Sequence, residues 1–280
     1  MHLVMIFTAL GLAFGIRLIT PLTRASWGKY WELTLFFFLF PPLLLLMTAL
    51  AVLFMGPVGE MLGFPASWFS YCVSFGFIFL AVILLLKLSY QAWRSQHELS
   101  KYTVELVQGI PARILETNFP YSAQIGFWQP ELVVSRGLLN SLDLEHLEAV
   151  LAHEQAHNNY RDTFWFFWLG WLRSCTIWLP YTETLWQDLL LLREMRADRK
   201  AAQQVDALLL AESLLFFAQA PFKNPESFCA PFSCALPKNR LGERIDALLT
   251  ENYLSPVSTW WTWSWLVFCF FPLFTLPLHY

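Results

Sequence analysis

Charge is scarce in this sequence of 280 residues. Only 14% of them are charged, against about 25% in an ordinary soluble domain, while 56% are apolar. That excludes a disordered chain and counts against an ordinary soluble enzyme. An excess of one sign is also lacking. The 18 Lys and Arg face 21 Asp and Glu, a net charge of −3, so there is no basic footprint for nucleic acid. Cysteine is limited to five residues that suggest no disulfide framework. Cys72, Cys175 and Cys269 lie in apolar runs. Cys229 and Cys234 form a lone C-x4-C pair, for which reduced, structural thiols are expected. No Lys or Arg precedes the first apolar run, and no A-x-A-like site follows it, which argues against a cleaved leader.

The few charges are unevenly spread. Residues 1–16 and 252–280 carry none, and Glu60 is alone between Leu33 and Leu86. A polar middle from Lys87 to Glu251 is thus flanked by apolar ends. About 20 apolar residues make a membrane-crossing helix, and four stretches qualify: Met1 to Ile19, Leu33 to Met55, Ala66 to Leu86, and Val257 to Leu278. Pro41-Pro42 should kink the second. Trp260, Trp261, Trp263 and Trp265 would form an interfacial belt at one end of the fourth. Arg17, Arg24 and Lys29 follow the first run, and Lys87, Arg94 and Lys101 follow the third. By the positive-inside rule both groups, and the polar middle, lie on the cytoplasmic side.

Within the middle, Thr103–Val107 and Glu131–Ser135 read as short strands, separated by a stretch punctuated by Gly and Pro. A helix should start at Asp143, a suitable N-cap, with Leu147, Val150 and Leu151 on one stripe. It carries His153-Glu154-Gln155-Ala156-His157. Two His four apart share a helix face and can reach one zinc ion. Glu154, one residue along, is placed to take a proton from water activated there. A surface pair of His on an amphipathic helix is the plainer reading. Zinc needs a third protein ligand. Glu194 is the candidate, on a second helix from about Glu183 to Val205, with Asp198 one turn on to orient a ligating His. The surrounding Arg193, Arg196, Arg199 and Lys200 fit a solvated charged face equally well.

Taken together, these residues resemble the BlaR/MecR-type membrane zinc peptidases. The matching positions are Gly126-x-x-x-Pro130-Glu131-Leu132-Val133-Val134, the run from Leu151 to His157, Arg161-Asp162, Glu194-x-x-Ala197-Asp198 and Arg244-Ile245. HtpX-like and CAAX-prenyl proteases are similar at the Glu194 to Asp198 motif. The resemblance implies a mainly α-helical multi-pass membrane protein: four transmembrane helices, a gluzincin-like α+β zinc peptidase domain, and a re-entrant or interfacial helix. Residues 1–88 would hold three spans, 89–256 the peptidase domain, and 257–280 the last span. His153, His157 and Glu194 would bind one zinc ion, Glu154 would be the catalytic base, and Val133 and Val134 would pair with substrate backbone. The implied activity is cleavage of membrane-associated or regulatory proteins at the cytoplasmic face of a bacterial membrane. Antibiotic sensing, which needs a large extracellular domain, is not expected. An idle scaffold or sensor subunit retaining the fold is the alternative.

Phe164 to Pro180 is apolar but contains Arg173. As a span it would separate Glu194 from His153 by a hydrocarbon core about 30 Å thick. A non-crossing helix is therefore expected, with Arg173 snorkelling. Tyr160, Arg240 and Arg244 are candidate donors to the developing oxyanion, Arg244 being read rather as a packing residue. His2, His97, His146 and His279 lack ligand spacing.

Overall fold

The computed structural model describes residues 2–19, 27–61, 64–219, 240–249 and 263–279. They divide into two compact units. The first comprises residues 1–86, 171–189 and 254–280, the second residues 87–170 and 190–253. Cys229 and Cys234, Trp260 and Trp261, and the start of the fourth expected span lie outside the described residues.

Among the described residues, three helices are long and apolar enough to cross a membrane: α1 (His2–Ile19), α2 (Trp27–Met55) and α3 (Trp68–Leu99). At about 1.5 Å per residue even α1 reaches about 27 Å. In the first unit, Ala9 and Ala13 of α1 pack on Leu44 and Leu45 of α2, small residues one turn apart that let two helix backbones approach closely. Farther along α1, the fully buried Arg17 donates from Nη2 to the Phe38 carbonyl at 3.3 Å. A helical Phe38 carbonyl would normally accept from residue 42, but Pro42 has no N–H. The buried arginine and the proline pair therefore answer one another. On α3, Phe69, Phe75, Phe79, Val82, Ile83 and Leu86 are all exposed, an apolar surface that water would penalise and lipid would not.

The described part of the fourth expected span is not one continuous α-helix. Only Leu266–Cys269 is α-helical, and a 3-10 helix follows over Phe271–Leu278, with Pro272 and Pro277 withholding backbone donors. Trp265 rests edge-on against Phe36 of α2.

The second unit is built on a four-stranded mixed sheet. Strand β3 (Val104–Val107) and β4 (Ile110–Leu115) are antiparallel, β4 and β6 (Glu131–Ser135) parallel, and β6 and β5 (Ser122–Ile125) antiparallel, in the order β3-β4-β6-β5. A short ribbon, β1 (Glu60–Met61) with β2 (Phe64–Pro65), belongs to the first unit. Gln108 and Gly109 join β3 to β4, both at positive φ, the backbone that a two-residue hairpin requires. Ile114, Leu132 and Val134 bury one sheet face against Leu138, Leu147, Val150 and Leu151, which belong to α4 (Arg136–Ser141) and α5 (Leu144–Tyr160). Removing this apolar surface from water favours folding by about 25 cal/mol per Å².

Caps position α5. The Asp143 side chain accepts from the His146 N–H at 2.9 Å, as expected of the N-cap. Gly137, in α4, donates its N–H to Thr117 O at 2.8 Å. A Cβ there would lie 2.3 Å from Asn118 O, so backbone would have to move. Gly137→Ala should cost about 1–3 kcal/mol, read as a lower urea midpoint in detergent. An unchanged midpoint would mean that the 117–119 segment yields freely.

The site-bearing helices follow. α6 (Asp162–Cys175) has 14 residues, about 21 Å, too short to span a hydrocarbon core of about 30 Å. α7 (Thr182–Ala201), α8 (Ala207–Gln219) and α9 (Leu241–Leu249) complete the described helices of this part of the chain. Ala149, Ala201 and Leu210 bring α5, α7 and α8 together.

Candidate metal centre

His153 and His157 project from one face of α5, and Glu194 comes from α7. Their imidazole Nε2 atoms are 3.1 Å apart. Glu194 Oε2 lies 3.4 Å from His153 Nε2, and Oε1 lies 3.5 Å from His157 Nε2. A tetrahedral ion with bonds of about 2.0–2.1 Å separates its ligand atoms by about 3.3–3.4 Å. These separations are near that figure, with each imidazole facing a different oxygen of Glu194, and one ligand atom from each residue lies within 4.8 Å of the others, so the donor set fits a metal ion.

Both imidazoles present the correct nitrogen. His157 Nδ1 is 2.7 Å from Asp162 Oδ2, and His153 Nδ1 is 2.8 Å from Asp198 Oδ1. A carboxylate hydrogen-bonded to Nδ1, as Asp162 is to His157, holds the proton there and leaves the Nε2 lone pair free, while Asp198 lies at ion-pair distance from His153 Nδ1 without the angle of a hydrogen bond. Asp198 thus sits where α7 periodicity places it. Asp162 is five residues from His157, off its face in a straight helix. It arrives because α5 ends at Arg161, which is left-handed at φ 54°, and α6 starts at once with Asp162 in its first turn.

Behind the ligands lies a buried ionic network. Arg193 donates from Nε to Glu194 Oε1 at 2.9 Å, and its guanidinium lies 4.7 Å from the Phe166 ring centre. Arg244 grips Asp198 with two bonds, Nε to Oδ2 at 2.8 Å and Nη2 to Oδ1 at 2.7 Å. Arg196 pairs with Asp162 and stacks over Tyr160. Three buried carboxylates are therefore matched by three guanidinium groups before any metal is counted, which offsets the cost of taking each charge out of water. This corrects the reading of Arg193 and Arg196 as a solvated face. Arg244 is neither a packing residue nor a free donor, since Asp198 holds it. Tyr160 lies under Arg196, and Arg240 is held by Glu243.

The electrostatics follow from these contacts. Burial opposes a charged His153, yet Asp198 and Glu194 push its pKa up to about 10. Burial likewise opposes charge on His157, and Glu194 and Asp162 raise it. Burial works against the Glu194 carboxylate, but His157 and Arg193 hold it well below the usual range. Metal binding needs the Nε2 lone pair of each imidazole, so any proton held there must leave when an ion binds.

Glu154 is buried on α5, where its Oε1 accepts from Ser122 Oγ at 2.6 Å. Ser122 stands opposite Val134 in the β5–β6 register, so both point to the same sheet face, the one that α5 covers. Sequence reasoning missed this contact. The edge expected at Val133 and Val134 is not there. Val133 and Val134 are fully buried, and β6 is paired on both sides, so its backbone has no free edge to offer. The open edge beside Glu154 belongs to β5. The remaining histidines have other partners: His146 with Asp143 and Glu212, His97 on Trp93, and His2 on His279.

Among curated proteins, none matches this chain. A family model does, over residues 79–220, from the middle of α3 past the end of α8 and including all three metal-facing residues. With half of its length matched, and His153, His157 and Glu194 converging as that family's chemistry requires, the chain belongs to peptidase family M48.

Proposed function

We propose that this chain is an integral-membrane zinc metalloendopeptidase. The observation that carries the reading is the convergence of His153, His157 and Glu194 within 4.8 Å, next to a carboxylate on the same helix. One zinc ion, held by these three residues, would act as a Lewis acid on the scissile carbonyl and lower the pKa of water towards 7. Glu154 takes the proton of the attacking water and later returns it to the leaving amine. Ser122 fixes the Glu154 carboxylate. Asp162 holds His157 in the tautomer that leaves Nε2 free to bind, and Asp198 stands beside Nδ1 of His153. Substrate backbone adds to the open edge of β5, in the manner of an added strand.

The apolar helices support a multi-pass protein of a bacterial membrane. The Lys and Arg after the first and third runs support a cytoplasmic active site, and α6 is read as re-entrant or interfacial. The substrates are then membrane-associated or regulatory proteins. For subtype, the Gly126 to Val134 run supports a BlaR/MecR-type layout, and the Glu194 to Asp198 motif an HtpX-like or CAAX-prenyl one. The zinc chemistry is common to both.

The test is metal content by mass spectrometry of detergent-purified protein, beside hydrolysis of an unfolded-protein substrate. Wild type should hold about one zinc per chain and lose hydrolysis on chelation, with zinc restoring it. Glu194→Ala should lose most of the metal. A folded wild type that takes up no zinc would end the peptidase reading.

A further inference from the structure

The second unit holds a cavity of about 290 Å³, at the small end of ligand pockets and suited to one side chain. Its apolar wall is Phe127, Trp128 and Pro130, from the loop after β5, and its polar wall is Asn158, Arg161 and Thr163. Phe127 is held in place by rings 5.1 Å away at Phe164 and 4.7 Å away at Phe167. The loop is folded tightly on itself: Gly126 has φ +143°, and a Cβ there would lie 2.8 Å from Gln129 O. Trp128, by contrast, is 67% exposed. The cations of the metal centre all have carboxylate partners. Arg161 is exposed and has no ion-pair partner among the described residues.

Two elements lead from Glu154 to this cavity. Along α5, Asn158 is one turn beyond Glu154 on the same face, about 6 Å away, and Arg161 closes the helix about 10 Å away. Along the sheet, β5 begins at Ser122, which touches Glu154, and runs into Phe127 and Trp128. An extended peptide advances about 3.3 Å per residue. One lying beside β5 passes three residues from Ser122 to the strand's end at Ile125 and five to Phe127, so it would reach the cavity about three to five residues from the bond above Glu154.

We propose that this cavity is a specificity subsite for an acidic side chain, glutamate above all, about three to five residues from the cleaved bond. Arg161 binds the carboxylate, with Asn158 and Thr163 as further polar contacts, while Phe127 and Trp128 cover the methylene stem. The proposal rests on the peptidase reading above. It adds what the metal centre alone does not supply, a preference among peptides.

The test uses the full chain in detergent and quenched-fluorescent peptides that differ only by Glu, Ala or Lys at each position within about five residues of the cleaved bond. Wild type should prefer Glu to Lys by about tenfold or more at one position, the scale of a charge-assisted hydrogen bond. Arg161→Glu, which keeps a side chain of similar left-handed cost, should reverse that preference there, so that the Lys peptide is cleaved faster than the Glu peptide. Trp128→Ala should raise KM for the Glu peptide with kcat held. Cleavage with no Glu preference, or a preference that Arg161→Glu leaves in place, overturns the subsite and spares the peptidase. Loss of the Ala peptide in Arg161→Glu also overturns it, since Arg161 would then be structural. No cleavage of any peptide by zinc-loaded wild type removes the peptidase reading and the subsite with it.

Discussion

Glu154→Gln should abolish peptide hydrolysis while the protein keeps its metal. Glutamine has nearly the same shape, and its amide oxygen can still accept from Ser122 Oγ, as Glu154 Oε1 does at 2.6 Å. Packing around α5 should therefore persist. What is lost is a group able to take a proton from water and return it to an amine. General acid–base catalysis contributes about 10²–10⁴-fold, so kcat should fall by that factor, with metal content and thermal midpoint near wild type. A kcat within about threefold of wild type would remove Glu154 from the chemistry. Loss of metal along with activity would make it a positioning residue for α5. The contrast with Glu194→Ala is informative, because there metal and activity should go together. An idle scaffold would differ from both, since its zinc-loaded wild type would already be inactive.

Arg244→Met should be the most destabilising change in the buried network. Methionine replaces the stem of Arg244 and removes both bonds to Asp198, a residue only 1% exposed. Burial disfavours the Asp198 carboxylate, and Arg244 and His153 between them hold its pKa below the usual value. Taking away one partner of a buried ion pair costs about 3–5 kcal/mol, because the other charge is left without compensation. Urea unfolding of metal-free protein should show that loss. Adding Asp198→Asn to the same chain should recover part of it, because no orphan charge remains, and the double-mutant cycle measures the coupling. A single variant within about 0.5 kcal/mol of wild type would show that water already reaches Asp198.

Residues close in the chain were read well and residues far apart poorly. The two His of α5 were legible because spacing i, i+4 sets a shared face wherever the helix forms. The Asp143 cap was legible for the same reason, its partner His146 being three residues away. Strands β3 and β6 showed their branched residues. β4 was missed because Ile110-Pro111 reads as a break, although Pro111 stands near the start of the strand. β5 was missed because Ser122-Ala123-Gln124-Ile125 has little strand propensity. The pairing of Val133 and Val134 with substrate came from the family resemblance, and with β4 and β5 unseen nothing in the sequence showed that β6 is a central strand.

The amino-acid sequence alone determined that this protein has long apolar helices, two His one helical turn apart with a carboxylate beside them, and a second acidic pair one helical turn apart. Composition and helical period act locally, and no later packing undoes them. Only the tertiary structure decided which partners complete them. Ser122 reaches Glu154 across 32 residues, Arg244 reaches Asp198 across 46, and Pro42 leaves a carbonyl that Arg17 satisfies from another helix. Asp162 reaches His157 because one residue, Arg161, turns left-handed. Such contacts depend on how helices and strands pack, and burial then makes each of them strong, because a charge or carbonyl away from water needs a partner.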